Sequence, residues 1–319
     1  MKVFTQLAEI PSGLHHPIVT IGNFDGVHRG HQEIIRQVVS KARASNGCSV
    51  LVTFEPHPLA VLTPQAPPRL IMTRDQKLEA FASYGMDMTV FVRFDADFAQ
   101  WSPRRFVETV LVDAIGAKSV YVGSNFVFGY QQQGTVETLV ALGKECGFNV
   151  VSIPQFTWRR RRVSSSLIRN LLLEGHIETS NRLLGHFYTL QGRVVPGAGR
   201  GRQLEFPTLN LLPENDLIPK PGVYITRAKI DSTIFPSVTN IGVRPTFGEN
   251  QRIIEAHLID VTLSTAPHHL SLSLLHRLRN EVKFPSREDL QKQIFEDVRS
   301  ARRFFNRLTR FNQDSGGGN

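Results

Sequence analysis

The first half of the chain alternates short apolar, β-branched runs with segments of helical period. Val19–Ile21, Ser49–Phe54, Met88–Val92, Ser119–Val122 and Asn149–Ile153 read as strands. Helical patterns fall between them. One opens near Gly30, and one is capped by Thr73 with Gln76 three residues on, continuing through Leu78 and Phe81. Another starts at Ser102–Pro103 and carries Phe106, Val107, Val110 and Leu111 on one face; a fourth covers Glu137–Gly147. Strands separated by helices predict parallel pairing through crossovers, an α/β domain of the Rossmann-like class. In such sheets ligands gather beyond the carboxyl ends of the strands.

The pattern changes after about residue 185. Pro and Gly become dense, and β-branched or aromatic stretches take over at Tyr188–Val195, Gly222–Ile230, Val238–Ile241 and Ile254–Val261. These predict an antiparallel β-barrel or sandwich. A closing helix is expected from about Arg287 to Leu308, with Leu290, Ile294, Val298 and Phe305 on its apolar stripe. The expected division is therefore an α/β domain over 1–185, a β domain over 186–311, and a frayed polar tail over 312–319.

Charge narrows the class of ligand. The 37 Lys and Arg against 28 Asp and Glu give a formal charge of +9. Apart from Arg159–Arg162 and Arg299–Arg303 the arginines are dispersed, a pattern that phosphorylated small molecules explain as well as nucleic acid does; no nucleic-acid partner is expected. No apolar run approaches the roughly 20 residues that span a bilayer, so no membrane partner is expected. The first ten residues lack a secretory pattern, and Cys48 and Cys146 are the only cysteines. Cytoplasmic residence is the expectation. Self-association, if any, is expected to be weak.

The strongest local signal follows the first strand: Gly22-Asn23-Phe24-Asp25-Gly26-Val27-His28-Arg29-Gly30-His31. Glycines permit a tight turn and close approach of a ligand. Histidines three apart share one side of a starting helix, whose free N–H groups favour anions. His28 and His31 can then donate to a triphosphate. Metal ligation is the competing reading, with Asp25 or His57 as further ligands. Downstream, Arg162-Val163-Ser164-Ser165-Ser166-Leu167-Ile168-Arg169 combines a helix start with hydroxyls and a phosphate-clamping Arg. In the second half, Gly199 and Arg200 belong to a basic glycine-rich loop suited to phosphate, before Phe206-Pro207-Thr208-Leu209-Asn210. Thr208 and Asn210 offer oxygens suited to Mg²⁺.

Gly22–His31 with Arg162–Arg169 resembles the paired signatures of the nucleotidyltransferase superfamily. Phe54-Glu55-Pro56-His57-Pro58 and Val122–Gly129 narrow the resemblance to bacterial bifunctional riboflavin kinase/FAD synthetases. Phe206–Asn210, Asn240–Gly248 and Glu255–Asp260 extend it through the second half. The resemblance implies two reactions: riboflavin and ATP give FMN, and FMN and ATP give FAD and pyrophosphate, both with Mg²⁺. It implies that His28, His31 and Arg169 act on the phosphates during adenylyl transfer. Asn23, Phe24, Asp25, Gly26, Gly30, Phe54, His57, Asn125, Ser164 and Ser165 would bind substrate there. It also implies a basic role for Glu255 toward the riboflavin 5′-hydroxyl and a metal role for Thr208 and Asn210. Glu205 stands where a Gly is common, and Ser264–Pro267 replaces an Asp-Leu-Tyr-Gly-like loop. An enzyme with FAD synthetase activity alone is therefore the alternative expectation.

Overall fold

Ile18 and Val19 point to opposite faces of one sheet, and this alternation builds two cores. The computed structural model describes residues 1–196, 206–246, 249–261 and 263–315; at 243–246, 249–252 and 310–315 the backbone alone is described. The chain divides into two compact units, Met1–Ser165 and Ser166–Asn319.

In the first unit the strands are β1 (Lys2–Phe4), β2 (Ile18–Ile21), β3 (Ser49–Glu55), β4 (Met88–Arg93), β5 (Ser119–Gly123) and β6 (Asn149–Ile153). They pair in parallel in the order β1-β4-β3-β2-β5-β6. Helix α1 (Arg29–Ala44) follows β2, and the short α2 (Pro58–Leu62) and α3 (Arg74–Ser83) lie between β3 and β4. Helix α4 (Pro103–Phe106) widens into π-type turns over Val107–Ala114, and α5 (Val136–Cys146) precedes β6. Ile35, Val38 and Val39 of α1 with Phe81 of α3 join the core that holds Ile18, Leu51 and Tyr121. Phe106, Val110, Leu111 and Leu139 join the opposite core with Val19, Val50, Val52, Val90 and Val120. Apolar strands covered on both faces are what an all-parallel sheet requires. From β2 the strand order runs out in both directions, so the crevice between β2 and β5 is the topological switch point.

A small antiparallel ribbon, β7 (Thr157–Trp158) with β8 (Arg161–Arg162), closes this unit. Arg159 and Arg160 at its tip have φ of 47° and 63°, and the Arg159 guanidinium lies 4.6 Å from the Trp158 ring centre. Helix α6 (Ser165–Glu174) begins where the unit ends and is followed by α7 (Ile177–Leu184).

In the second unit β9 (Tyr188–Val195), β10 (Thr208–Pro213), β11 (Gly222–Ile230), β12 (Thr233–Thr246), β13 (Glu249–Leu258) and β14 (His269–Arg279) form a closed barrel. Its order is β10-β13-β12-β11-β14-β9, antiparallel throughout. The long α8 (Arg287–Ser315) runs past the Leu308 that its apolar stripe marks. Val298 and Ala301 of α8 pack on Val223, Ile225 and Val238 of the barrel's outer face. Asp297 of α8 is 8 % exposed at its side chain and accepts from Arg279 at 2.7 Å. Asn181 of α7 is held from both sides: it donates to the Leu274 carbonyl at 2.8 Å and accepts from Tyr188 N–H at 2.8 Å.

Candidate active sites

The loop after β2 is strained and held in place by its surroundings. Phe24 and Val27 have φ of 48° and 37°, a region that β-branched residues avoid, and Gly26 has φ of 80°. Gln32 donates to the Val27 carbonyl at 2.8 Å, and the Ser165 hydroxyl donates to the Asp25 carbonyl at 2.9 Å. Thr53 reaches the Asn23 carbonyl at 3.3 Å. The Asp25 carboxylate is 1 % exposed and accepts N–H bonds from Ile71 at 3.0 Å and Met72 at 3.3 Å. Asp25 therefore ties the loop to the segment that opens α3, a use its place in the motif does not reveal.

His28 is the N-cap of α1. Its Nδ1 accepts the His31 N–H at 3.3 Å, which leaves Nε2 to carry the ring proton. The two imidazole planes stack with centroids 3.6 Å apart, and the edge of Phe24 meets His31 at 5.1 Å. A Cβ on Gly30 would lie 3.2 Å from His28 Cε1 and 3.4 Å from Phe156 Cβ, so the residue between the histidines is small because the ring folds over it. His31 Nδ1 is sealed from solvent and finds no hydrogen-bond partner among the described residues. Burial foremost, then His28, then Lys77 holds the His31 pKa well below the ordinary histidine value. His31 is thus held largely neutral, and the stacked pair forms a preorganised donor surface at a helix N-terminus, where developing phosphate charge is stabilised.

Of the other residues expected here, Asn125 is exposed on the turn after β5, across the switch point, with its Oδ1 3.3 Å from where a Gly123 Cβ would stand. Ser165 reaches the motif loop through its bond to Asp25, and Ser164 is half-buried beside it. Phe54 belongs to an aromatic cluster with Phe94, Phe98 and Phe106, at centroid distances of 5.9, 6.0 and 6.4 Å. His57 caps α2 by accepting the Leu59 N–H at 3.2 Å. Arg169 lies one turn along α6, in the second unit, and contacts the Ser166 hydroxyl at 3.5 Å.

The barrel assembles its own constellation by register. Asn210 of β10 and Asn240 of β12 are both paired with Glu255 of β13, and Thr208 with His257. Ile254 and Ala256 are buried inside, so Glu255 and His257 stand on the outer face with Thr208 and Asn210. A cavity of about 940 Å³ adjoins this row, lined by Phe206, Pro207, His257, Asp260, Lys292 and Phe295 among others. That is the size of a cofactor-sized ligand site. Phe295 and Lys292 escape the sequence reading because they sit off the apolar stripe of α8; an aromatic there, 55 % exposed, is the signal that could have found them. Gly199 and Arg200 lie outside the described residues.

Two family patterns divide the chain as the two sites do: FAD synthetase matches residues 11–167 and riboflavin kinase residues 184–305. The bifunctional riboflavin kinase/FMN adenylyltransferase of Escherichia coli (strain K12) is 36% identical over 290 residues, 90% of this chain and 92% of that protein. The chain belongs to this bifunctional family. The relative from Buchnera aphidicola (subsp. Acyrthosiphon pisum, strain APS) is 30% identical over 309 residues, 96% of this chain and 99% of its own. Among solved structures, a Streptococcus pneumoniae chain described as a macrolide-efflux protein superposes with a TM-score of 0.87 at 26% identity, covering 94% of this chain and 98% of that one. Among the described residues no helix is long and apolar enough to cross a membrane. Membership makes this chain a bifunctional enzyme that phosphorylates riboflavin and adenylylates FMN.

Proposed function

We propose that adenylyl transfer is carried by the switch-point loop of the first unit and phosphoryl transfer by the outer barrel row of the second. In the first reaction a phosphate oxygen of FMN bonds to the α-phosphorus of ATP as the bond to the β-phosphate breaks, releasing pyrophosphate. No protein nucleophile takes part, so the protein's contribution is positioning and electrostatics. His28 donates from Nε2 and His31 stands beside it toward the transferring and leaving phosphates. Ser164, Ser165 and Arg169 are assigned to the triphosphate, and Asn125 contacts the phosphates across the crevice. Asn23, Phe24, Gly26, Gly30, Phe54 and His57 shape the binding cleft. The observation that carries this reading is the stacked imidazole pair capping a helix at the switch point.

In the second reaction Glu255 accepts the proton of the riboflavin 5′-hydroxyl as that oxygen bonds to the γ-phosphorus, and ADP leaves. The oxygen-rich donor set suits a hard divalent ion: the hydroxyl of Thr208 and the amide oxygen of Asn210 would hold Mg²⁺ beside Glu255. Mg²⁺ bound there would neutralise phosphate charge. Gly199 and Arg200 are assigned to the nucleotide phosphates, and the cavity beside Phe206 and Phe295 to the flavin or nucleotide ring. The functional boundary is placed between 185 and 186, supported by the start of the riboflavin kinase match at 184. The setting is cytoplasmic, with small-molecule flavins and nucleotides as partners, no nucleic acid and at most weak self-association.

Separate feeding tests the assignment of substrates. With Mg²⁺ and ATP, FMN should yield FAD, and riboflavin should yield FMN and then FAD. Chelation of the divalent ion by EDTA should stop both. FMN formation that persists in EDTA would remove Mg²⁺ from the barrel site.

A further inference from the structure

Lys77 is a cation buried where the family motifs do not point. It is 7 % exposed, on α3, one turn in from the Thr73 cap. The start of α3 is tied to the motif loop, since Ile71 and Met72 donate to the Asp25 carboxylate. Phe81, four residues on and so on the same helix face, meets Phe24 at 5.9 Å, and Phe24 in turn meets His31 at 5.1 Å. The face of α3 that carries Lys77 is thus the one turned to the imidazole pair.

The charged groups around Lys77 are Asp25, Glu55, Arg74 and, from α1, His31. Both carboxylates are engaged elsewhere. Asp25 accepts from two backbone N–H groups, and Glu55 pairs with Arg74 at 3.2 Å. Among the described residues no acceptor lies within hydrogen-bond distance of the Lys77 ammonium and no carboxylate within 4.0 Å. Drawing a lysine this far from water without a protein partner is costly, and an anionic ligand at the ammonium would offset that cost. Burial lowers its pKa more than Asp25 and Glu55 raise it, as expected of a cation that neither carboxylate touches. The sealed, unpartnered Nδ1 of His31 lies in the same region.

We propose that Lys77 is a phosphate-binding residue of the adenylyl-transfer site, its ammonium contacting oxyanions that neither carboxylate supplies. No bond is made or broken at Nζ. The oxyanion belongs either to the pyrophosphate portion of ATP or to the 5′-phosphate of FMN. This inference rests on the assignment of the switch-point loop to adenylyl transfer.

The test uses the full chain with Lys77→Met and Lys77→Gln. Each should lose roughly tenfold or more in FMN adenylylation kcat/KM, the scale of one charged hydrogen bond. Riboflavin phosphorylation, carried by the other unit, should stay within about twofold and serves as the control for folding. Calorimetric titration with inorganic pyrophosphate, FMN and riboflavin then separates the sources. Weakened pyrophosphate binding assigns Lys77 to the triphosphate, and weakened FMN binding with riboflavin unchanged assigns it to the flavin phosphate. Unaltered binding of both anions in a folded variant overturns the proposal. If Lys77 merely balanced Asp25, the double variant Lys77→Met/Asp25→Asn would recover parental adenylylation, and that recovery would overturn it too. A wild-type chain that bound pyrophosphate through Lys77 yet made no FAD would instead overturn the adenylyl-transfer assignment.

Discussion

His28→Ala should lower FMN-to-FAD turnover by about 10²–10³-fold, the usual consequence of removing one preorganised donor to developing charge. The same variant should phosphorylate riboflavin at the parental rate, because the barrel row is built from other strands in another unit. His28 does three things at once: it caps α1, stacks on His31, and carries its ring proton on Nε2 because Nδ1 accepts. Loss of the cap costs about 1 kcal/mol of helix stability, too little to unfold the unit. The defect should therefore lie in kcat more than in the KM for FMN, since the interaction strengthens as the α-phosphorus is attacked. Initial-rate measurements with FMN and ATP check this, and unchanged turnover in the folded variant would take His28 out of the mechanism.

Glu255→Gln should have the reverse pattern. Riboflavin phosphorylation should fall by about 10²–10⁴-fold with the loss of a general base, while adenylylation of supplied FMN continues. Gln keeps the size and a hydrogen-bonding end but cannot take the hydroxyl proton. Its neighbours across the register, Asn210 and Asn240, are neutral, so removing the charge breaks no ion pair with either of them. A kinase kcat equal to the parental value would show that Glu255 only lines the barrel's outer face.

The parts that were legible in the chain are those where one local signal suffices. Ile18–Ile21 is a β-branched run ended by glycine, and the helix beyond Gly30 keeps its period through Ile35, Val38 and Val39. The Thr73 capping box forms as its spacing predicts, with both reciprocal bonds present. The second unit was read less fully. Thr208–Pro213 follows a proline and resembles a turn, yet it is the strand that closes the barrel between β9 and β13. His269–Arg279 carries a period-two signal, Leu270, Leu272 and Leu274 buried with serines between, yet it adjoins the divergent Ser264–Pro267 loop and two histidines that carry no strand signal.

Long-range contacts account for the rest. The anchoring use of Asp25 and the burial of Lys77 each depend on groups tens of residues away. A lysine just inside a capped helix ordinarily reads as a solvated surface charge. Only the packing of α3 against the motif loop removes it from water.

The central claim is that two units use different phosphorus atoms of ATP, and the most direct measurement follows them both. Wild-type chain is supplied with riboflavin and ATP labelled distinguishably at its α and γ phosphorus. The FAD formed should carry one γ-derived phosphorus on the flavin side and one α-derived phosphorus on the adenosine side. His28→Ala should accumulate FMN carrying the γ label alone. FAD that lacks either label, or α label appearing in FMN, would contradict the division of labour between the switch-point loop and the barrel.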